Sequence, residues 1–473
     1  MTPAVQKLSL AEAVRAARET RALEIGENVL SRTPRVFREQ FGPRRAVIVA
    51  DANTFAAAGR TVLDAFRTAD SPMLDPFIFR APDLHAEHRF VTGLESSLRQ
   101  HDAIPVAVGS GTINDLTKLA AHRTGRPYLC VATAASMDGY TAFGASITYK
   151  GSKQTFLCPA PTAVVADLKV ISAAPGEMNS WGYADLLAKV TAGADWIVAD
   201  ALGVEPIDRR AWGIVQGRLR ELVADPAGVC ARNPDAIGRL VEGLMLGGFA
   251  MQSAKSSRPA SGAEHQFSHL WDMQHHTHDG HAPSHGFKVG IGTLAVTALY
   301  ERLLERPLDR LEVERRCAAW PDREHWIAKI REWFDSIPAQ QAPDRPVAGG
   351  ELMAVATKET LAKADNSEIM RQQLSRLQTS WPRLRQQLRG QLIPFAALRQ
   401  MFHAAGAPTE PEQIGISRER LRASFWQAFF IRRRFTVLDL AVRAGVLDEC
   451  LDEIFGVDGV WPPQPQTPHL AKP

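Results

Sequence analysis

The sequence predicts an N-terminal α/β domain built on a parallel sheet, followed by an all-helical domain. In the first third of the 473-residue chain, short continuously apolar runs alternate with helical patterns. This alternation is typical of a parallel sheet that is covered on both faces by helices. Strand signals end near Pro175, and helical periodicity continues from there. The cleft between two such domains is the expected place for an active site.

Five apolar runs are predicted as strands of this sheet: residues 46–50, 77–79, 104–108, 128–132 and 163–166. Helical patterns follow the first two runs, over about 53–67 and 84–99, and a helix is predicted to begin near Asp115. Residues 145–149 and 155–157 flank a turn at 150–153, which predicts a hairpin attached to the sheet.

The second part of the chain shows helical periodicity over long stretches, which include 184–203, 204–224, 234–256 and 287–304. A proline-rich segment at 338–346 predicts a loop within this helical part. We therefore expect a dinucleotide-binding domain over 1–175, a helical metal- and substrate-binding domain over 176–460, and a disordered tail over 461–473.

Composition excludes several classes of protein. A net charge of +3 with 45% hydrophobic and 23% charged residues is ordinary for a soluble globular protein and argues against a nucleic-acid platform. The densest basic cluster, Arg432–Arg434, is short and sits in an apolar helical pattern. Five scattered cysteines without CxxC spacing suit reduced thiols in a cytoplasm. With no apolar run of about 18 residues, we expect a cytoplasmic protein without a membrane span.

Half of the histidines are concentrated between His265 and His285, which is seven of the fourteen. His265 and His269 are four residues apart, so a helix would place both on one face. His285 follows a segment with glycine and proline that could return it to the same point. Neutral imidazole is a frequent ligand of zinc and related metals. A polar loop that is merely rich in histidine is an equally acceptable interpretation of this segment taken alone.

A glycine-containing turn follows the third predicted strand. It contains Gly109, Gly111, Thr112 and Asp115 and opens a helix. Glycines let a backbone approach a pyrophosphate, and a helix N-terminus offers free N–H groups to it. The turn matches neither GxGxxG nor a nucleoside-triphosphatase loop, so a simple tight turn remains an alternative.

Further polar side chains are expected at the same sheet edge. Thr133 and Ser136 follow the next strand, where ligands of α/β sheets usually bind. Asp51 ends the first predicted strand and could accept hydrogen bonds from ribose hydroxyls while repelling a 2′-phosphate, which favours NADH over NADPH. Capping of the following helix is the alternative role of Asp51.

Five segments, taken together and in order, resemble one family: residues 109–115, 133–141, 161–167, 182–189 and 257–269. The resemblance is to the sn-glycerol-1-phosphate dehydrogenases, within the superfamily of iron-containing alcohol dehydrogenases, glycerol dehydrogenase and dehydroquinate synthase. It extends over about 20–300, and residues 414–439 resemble the longer bacterial members. It implies a dehydroquinate synthase-like fold, an active site in the interdomain cleft and a homo-oligomer, with a homodimer expected.

The resemblance also implies roles for particular residues. It implies that Asp185, His265 and His285 bind a divalent metal, that His269 contacts substrate, and that Asp138 lies at the active site. The chain departs from the family pattern at Ala142, where serine is common, and at Ala184, where glycine is common. The first departure removes one expected hydrogen bond to the cofactor.

The chemistry of this residue set suits a carbonyl reduction. One Asp and two His leave open positions on a metal, whose charge can stabilise a developing alkoxide while the nicotinamide supplies hydride. His269 can then donate a proton, and Asp138 can bind a substrate hydroxyl. Arg258 is the first candidate for binding the substrate phosphate and Lys153 the second, although Arg258 could equally be structural. Lys189 and Asp195 are interpreted as ordinary helix residues or a salt bridge.

The resemblance implies a metal-dependent reduction of dihydroxyacetone phosphate to sn-glycerol 1-phosphate with NAD(P)H, a reaction of phospholipid metabolism. The ligand set accepts zinc or nickel, and also iron. The alternatives are an NAD-dependent glycerol or polyol dehydrogenase, a lyase that uses NAD transiently, and a metal-binding module without activity. No nucleic-acid partner is expected.

Overall fold

The computed structural model describes residues 7–82, 84–149, 152–335, 349–363 and 367–463. The predicted loop at 338–346 lies outside these ranges, and so do residues 464–473 of the predicted tail. Trp461, the first residue of that predicted tail, is buried and packs against Phe395 and Phe455.

Six parallel strands form the main sheet, in the order β1–β8–β5–β4–β2–β3. Two further strands, β6 and β7, form a separate antiparallel hairpin. The strands are β1 (Ala22–Gly26), β2 (Ala46–Asp51), β3 (Phe77–Phe79), β4 (Ile104–Gly109), β5 (Leu129–Ala132), β6 (Ala145–Tyr149), β7 (Ser152–Phe156) and β8 (Ala163–Asp167).

All five apolar runs that predict strands are strands of the main sheet, as β2, β3, β4, β5 and β8. Two features differ from the prediction. The edge strand β1 has only partly buried residues and pairs on one side alone, so its sequence lacks a continuous apolar run. The β6–β7 hairpin is not hydrogen-bonded into the main sheet, which corrects the expected attachment.

The side chains of each buried strand alternate between two cores, because successive residues of a strand point to opposite faces. On β2, Val47 and Val49 pack into the large core that continues into the helical part of the chain, whereas Ile48 and Ala50 pack into a smaller core. Both faces are therefore covered, which accounts for the uninterrupted apolar sequence of the strands.

Ten helices accompany the strands or immediately follow them: α1 (Leu10–Ala16), α2 (Thr33–Phe41), α3 (Ala52–Thr54), α4 (Arg60–Thr68), α5 (His88–Leu98), α6 (Gly111–Arg123), α7 (Leu168–Ala173), α8 (Gly176–Leu187), α9 (Lys189–Ala201) and α10 (Arg209–Gln216). The predicted helix over 53–67 is interrupted, because a wider turn at Phe55–Gly59 separates α3 from α4.

The remaining described helices are α11 (Leu219–Leu222), α12 (Pro226–Cys230), α13 (Pro234–Ala254), α14 (Ala263–Met273), α15 (His285–Leu303), α16 (Val313–Ala318), α17 (Arg323–Asp335), α18 (Gly349–Lys363), α19 (Ser367–Gln391), α20 (Phe395–Ala404), α21 (Arg418–Phe430), α22 (Val437–Ala444) and α23 (Leu447–Phe455). Within the described ranges, no strand follows β8. Among these residues, no helix combines the length and apolar character needed to cross a bilayer.

Helix α8 packs directly on the loop that follows β5, and Gly182 makes this contact possible. A Cβ atom at Gly182 would lie 1.9 Å from the carbonyl oxygen of Ala135, which is far inside any allowed contact. Because the clash would involve backbone, no side-chain rotation can relieve it. The close approach of α8 to the sheet therefore requires glycine at this position.

We expect Gly182→Ala to destabilise the protein by about 1–3 kcal/mol, because the added methyl group must push α8 away from the loop. Thermal unfolding followed by circular dichroism measures the effect. Gly390→Ala is the matched control, since Gly390 also lies in a helix and its Cβ would meet nothing within 4 Å. Alanine favours helix by about 1 kcal/mol over glycine, so the control should be neutral or stabilising. Equal midpoints for the two variants would contradict the packing argument.

Candidate functional site

The predicted cofactor-binding residues meet at the carboxyl edge of three adjacent strands. Asp51 ends β2, Gly109 ends β4, and Thr133 directly follows β5, and these strands neighbour one another in the order β5–β4–β2. Helix α6 begins at Gly111 immediately after β4, so its first N–H groups, including that of Thr112, face this edge unpaired by the helix. The arrangement supplies the anion-binding helix end that a dinucleotide pyrophosphate needs.

Individual side chains at this edge have different environments. Asp51 caps α3, with its Oδ1 accepting a hydrogen bond from the backbone N–H of Thr54 at 2.8 Å. Asp115 is turned towards the hairpin, where its Oδ2 accepts a hydrogen bond from the N–H of Ser146 at 3.1 Å. Burial raises the pKa of Asp115, although nearby Lys118 acts in the opposite direction. Ser136 is buried in the loop after β5.

Asp185, His265 and His285 converge in the helical part, as the resemblance implies. One potential ligand atom from each of the three side chains lies within 4.8 Å of the other two. Asp185 lies on α8, His265 lies on α14, and His285 is the first residue of α15. The set unites three helices separated by up to 100 residues in sequence. Among the described residues, no other three His, Cys, Asp or Glu side chains bring their ligand atoms this close together.

The local structure around α15 explains how His285 reaches the cluster. Ser284 begins the helix, because its hydroxyl accepts a hydrogen bond from the N–H of Phe287 at 3.2 Å. A Cβ at Gly286 would lie 2.0 Å from the carbonyl oxygen of Trp181, so glycine lets the start of α15 approach α8 at backbone distance. The return predicted from the intervening glycine and proline therefore occurs, and it depends on Gly286.

Neighbouring side chains orient the two ligand histidines. Glu264 Oε1 lies 2.8 Å from Nδ1 of His265, and Ser268 Oγ lies 3.2 Å from Nδ1 of His285. Each contact occupies the Nδ1 atom and leaves Nε2 as the available nitrogen. Metal-binding histidines usually have such a partner on the second ring nitrogen, because it sets the tautomer and the ring orientation.

Lys189 links the predicted active-site carboxylates. Its Nζ lies 2.7 Å from both Asp138 Oδ2 and Asp185 Oδ1, and all three groups are largely or fully buried. The Asp185 Oδ2 atom also accepts a hydrogen bond from the backbone N–H of Asp138 at 3.1 Å. The salt-bridge interpretation of Lys189 is thus confirmed, but the bridge lies inside the site.

The charges of the cluster shift the pKa values of its members. Burial opposes ionisation of Asp185, but Lys189 and His265 outweigh it and lower the pKa of Asp185 well below its usual value. Burial, with the charge of Asp185, raises the pKa of Asp138. Burial lowers the pKa of His285 to about 3, so its imidazole is neutral and can act as a ligand. His265 has a raised pKa, because Asp185 and Glu264 outweigh its burial.

The residues present fit a divalent cation. Asp185 and Glu264 are buried carboxylates and Asp138 is largely buried. Lys189 pairs with Asp138 and Asp185, and His265 lies between Asp185 and Glu264. A buried excess of negative charge is unfavourable unless a cation compensates it. One carboxylate and two imidazole nitrogens are ligands that zinc, nickel and iron accept.

A cavity of about 580 Å³ adjoins this cluster, which is large enough for a small substrate beside a nicotinamide ring. His265 belongs to the metal cluster and also lines the cavity, and His269 lines it one helical turn further along α14. The Nδ1 atom of His269 is buried without a hydrogen-bond partner among the described residues. Burial, followed by the charge of Arg432, lowers the pKa of His269 well below its usual value.

Arg258 does not line this cavity, contrary to its predicted role as the phosphate-binding residue. Its side chain is buried, with Nη1 and Nη2 each donating at 2.8 Å to the backbone carbonyl oxygens of Phe435 and Asp195. Its Nε lies 3.4 Å from Glu205. The structural alternative for Arg258 therefore applies, and its guanidinium is committed to holding three segments together.

Sequence reasoning missed the side chains that do supply positive charge to the cavity. These are Arg432, Arg433 and Arg434, which follow α21 and line the cavity. These arginines are the densest basic run of the chain, which could have indicated an anion-binding site. The apolar helical pattern around them did not indicate a binding role. Lys153, the second phosphate candidate, lies 3.8 Å from Asp272.

Other histidines of the segment between His265 and His285 lie away from the Asp185 group. His276 is buried, with Nε2 at 2.7 Å from the carbonyl oxygen of Ile414 and Nδ1 at 2.8 Å from Arg420. His281 is exposed and pairs with His278 through the backbone. Neither belongs to the group around Asp185.

Comparison with known proteins identifies the family of this chain. The family model for iron-containing alcohol dehydrogenase matches residues 24–175. A glycerol-1-phosphate dehydrogenase (NAD(P)+) of Halalkalibacterium halodurans is 34% identical over 294 residues, which is 62% of this chain and 73% of the relative. The enzyme of the same name from Pyrococcus furiosus is 31% identical over 287 residues, which is 59% of this chain and 78% of the relative.

The fold is also that of solved structures. A probable glycerol dehydrogenase from Sinorhizobium meliloti superposes with a TM-score of 0.58 at 15% identity, covering 92% of this chain and 98% of that protein. At this identity the likeness concerns the fold alone. The sequence relatives are about twice as identical, with 34% identity over 73% of the first relative, and the chain therefore belongs to the glycerol-1-phosphate dehydrogenase family.

Proposed function

We propose that this protein reduces dihydroxyacetone phosphate to sn-glycerol 1-phosphate, reversibly, with NAD(P)H and one divalent metal ion. The observation that carries the proposal is the position of His265, which belongs to the three-residue metal cluster and also lines a cavity with an arginine-rich wall. Membership of the glycerol-1-phosphate dehydrogenase family supports the substrate, since the relatives are named for this activity.

The cofactors are assigned to the residues that suit them. Asp185, His265 and His285 would hold the metal, and Gly109, Gly111 and Thr112 at the start of α6 would hold the dinucleotide pyrophosphate, with Thr133 and Ser136 beside them. When bound, the metal would supply a positive charge that stabilises a developing alkoxide, and the nicotinamide would supply hydride. Asp51 can still offer Oδ2 to a ribose, which favours NADH in this proposal.

The chain's own residues then perform three tasks. Lys189 keeps Asp185 ionised and correctly placed, because it neutralises part of the buried negative charge. Asp138, also held by Lys189, can accept a hydrogen bond from a substrate hydroxyl. His269 is neutral at pH 7 and lies in the cavity, so it can donate a hydrogen bond to the oxygen being reduced and relay a proton from water to it.

Zinc or nickel is the proposed metal, with iron as the third candidate, because all three accept one carboxylate and two imidazoles. A cytoplasmic homodimer is the proposed state of the protein. An alternative activity on an unphosphorylated polyol would use the same metal and cofactor, but it would leave the cationic wall of the cavity without a function.

The function is tested by NADH and NADPH oxidation with dihydroxyacetone phosphate, using enzyme that is first chelated and then reloaded with zinc, nickel or iron. We expect turnover only after reloading, and a higher kcat/KM for dihydroxyacetone phosphate than for dihydroxyacetone. The product should not be oxidised by a dehydrogenase that is specific for sn-glycerol 3-phosphate. Equal or faster reduction of dihydroxyacetone, or full activity of chelated enzyme, would refute the proposal.

His265→Ala should abolish both stoichiometric metal binding and activity, because it removes one of three ligands. Metal content is measured by mass spectrometry of the purified, dialysed protein. His281→Ala is the matched control, since His281 lies in the same histidine-rich segment, is exposed and is not part of the cluster. A His265 variant with one tightly held metal and normal turnover would show that the ligand set is wrong.

His269→Ala should retain metal but lower kcat by about 100-fold, the typical contribution of a positioned acid–base group. The reason is that His269 faces the cavity and is not one of the three clustered ligands. Metal analysis and steady-state kinetics on the same preparation separate the two effects. Parallel loss of metal would make His269 a ligand, and an unchanged kcat would reduce it to a packing residue.

A further inference from the structure

Three consecutive arginines, Arg432, Arg433 and Arg434, line one wall of the active-site cavity. They lie in the segment between α21 and α22, and none of the residues predicted to bind the dinucleotide lines this cavity. Although adjacent in sequence, the three guanidinium groups have different partners. These differences indicate which of them is available to a ligand.

Arg433 is committed to an ion pair at the mouth of the cavity. Its Nε and Nη2 donate to the two carboxylate oxygens of Glu359 at 2.9 and 2.8 Å, and its backbone N–H donates to the same carboxylate. The side chain is largely exposed. Its charge is therefore neutralised by Glu359 and screened by solvent.

Arg434 is committed to structure. Its Nη1 donates to the carbonyl oxygen of Ser261 at 2.9 Å, and its Nη2 donates to the hydroxyl of Ser257 at 2.7 Å. These contacts hold the segment that leads into α14, and so help to place His265. Burial, followed by the charge of Arg258, lowers the pKa of Arg434 to about 10, which leaves it protonated at neutral pH.

Arg432 has no hydrogen bond and no ion pair with any residue in the described part of the chain. Burial lowers its pKa, and Glu359, which attracts it, is already paired with Arg433. The other acidic residue of the cavity wall, Glu205, lies 3.4 Å from Arg258. A guanidinium held in a partly buried cavity without an anion is unfavourable, so this position is suited to an anionic ligand.

The positive charge of Arg432 acts on the imidazole of His269. After burial, the charge of Arg432 is the strongest influence that lowers the pKa of His269, and both residues line the same cavity. A ligand that reached His269 with its carbonyl end could therefore present an anionic end to Arg432. A three-carbon phosphorylated ketone has this form.

We propose that Arg432 binds the phosphate group of the substrate and is the residue that makes the enzyme select a phosphorylated ketone over the free one. The planar guanidinium can donate two parallel hydrogen bonds to phosphate oxygens, which orients the substrate as well as binding it. The inference rests on the proposed function and assigns its phosphate subsite to a residue of the segment 414–439.

The test compares R432Q with R389Q, which removes an exposed arginine of α19 that does not line the cavity. For each variant, kcat/KM is measured with dihydroxyacetone phosphate and with dihydroxyacetone, together with the Ki of inorganic phosphate as a competitor. In R432Q, we expect the preference for the phosphorylated substrate to fall about 30-fold and the phosphate Ki to rise, with KM affected more than kcat. R389Q should stay within about twofold of wild type, because the side chain of Arg389 is exposed and lies outside the cavity.

Further measurements serve as controls for this test. Thermal midpoints and metal content of R432Q must match those of R389Q. R432K provides a second variant that keeps the charge but loses the paired donors, with an intermediate preference expected. The KM for NADH and NADPH is also measured, because a cofactor phosphate is the other anion that could occupy this place.

The outcomes distinguish a wrong assignment of Arg432 from a wrong proposed function. If wild type prefers dihydroxyacetone phosphate but R432Q keeps that preference and the phosphate Ki, the assignment of Arg432 is wrong and the proposed function stands. If R432Q raises the KM of the cofactor alone, Arg432 binds a cofactor phosphate and the assignment is again wrong. If wild type shows no preference for the phosphorylated ketone, the proposed function fails, and the phosphate subsite fails with it.

Discussion

The buried ammonium of Lys189, held between Asp138 and Asp185, is the interaction on which the site depends. Asp138 belongs to the loop after β5, whereas Asp185 and Lys189 belong to α8 and α9, so the contact joins the sheet to the helices. Removing one partner of such a buried pair typically costs 3–5 kcal/mol, because the remaining charge is left uncompensated. The same contact lowers the pKa of Asp185 and keeps it ionised.

Backbone contacts at glycines complete what the ion pair begins. Gly182 lets α8 lie on the loop after β5, and Gly286 lets α15 begin against α8. Helices that touch through backbone place their side chains more closely than ordinary packing allows. His285 and His265 thereby reach the carboxylate of Asp185, with Ser268 and Glu264 orienting the two rings.

The site is electrically divided. Buried carboxylates dominate around Asp185, where the charge balance favours a cation, whereas three arginines line the adjoining cavity, where an unpaired one favours an anion. A substrate with a reducible carbonyl at one end and a phosphate at the other matches this division. Among the three wall arginines, the existing partners of Arg433 and Arg434 leave Arg432 available.

The sequence alone predicted five strands of the sheet and the glycine turn before α6, because local apolar runs and short spacings express them. The resemblance of its motifs predicted that Asp185, His265 and His285 come together. The sequence could not reveal β1, whose half-buried edge position needs no apolar run, or the separate hairpin. Only the tertiary structure turned Arg258 inward, drew Lys189 between two carboxylates and left Arg432 facing the cavity. The direction and partners of a long charged side chain depend on which distant segments pack beside it, and local sequence does not encode that information.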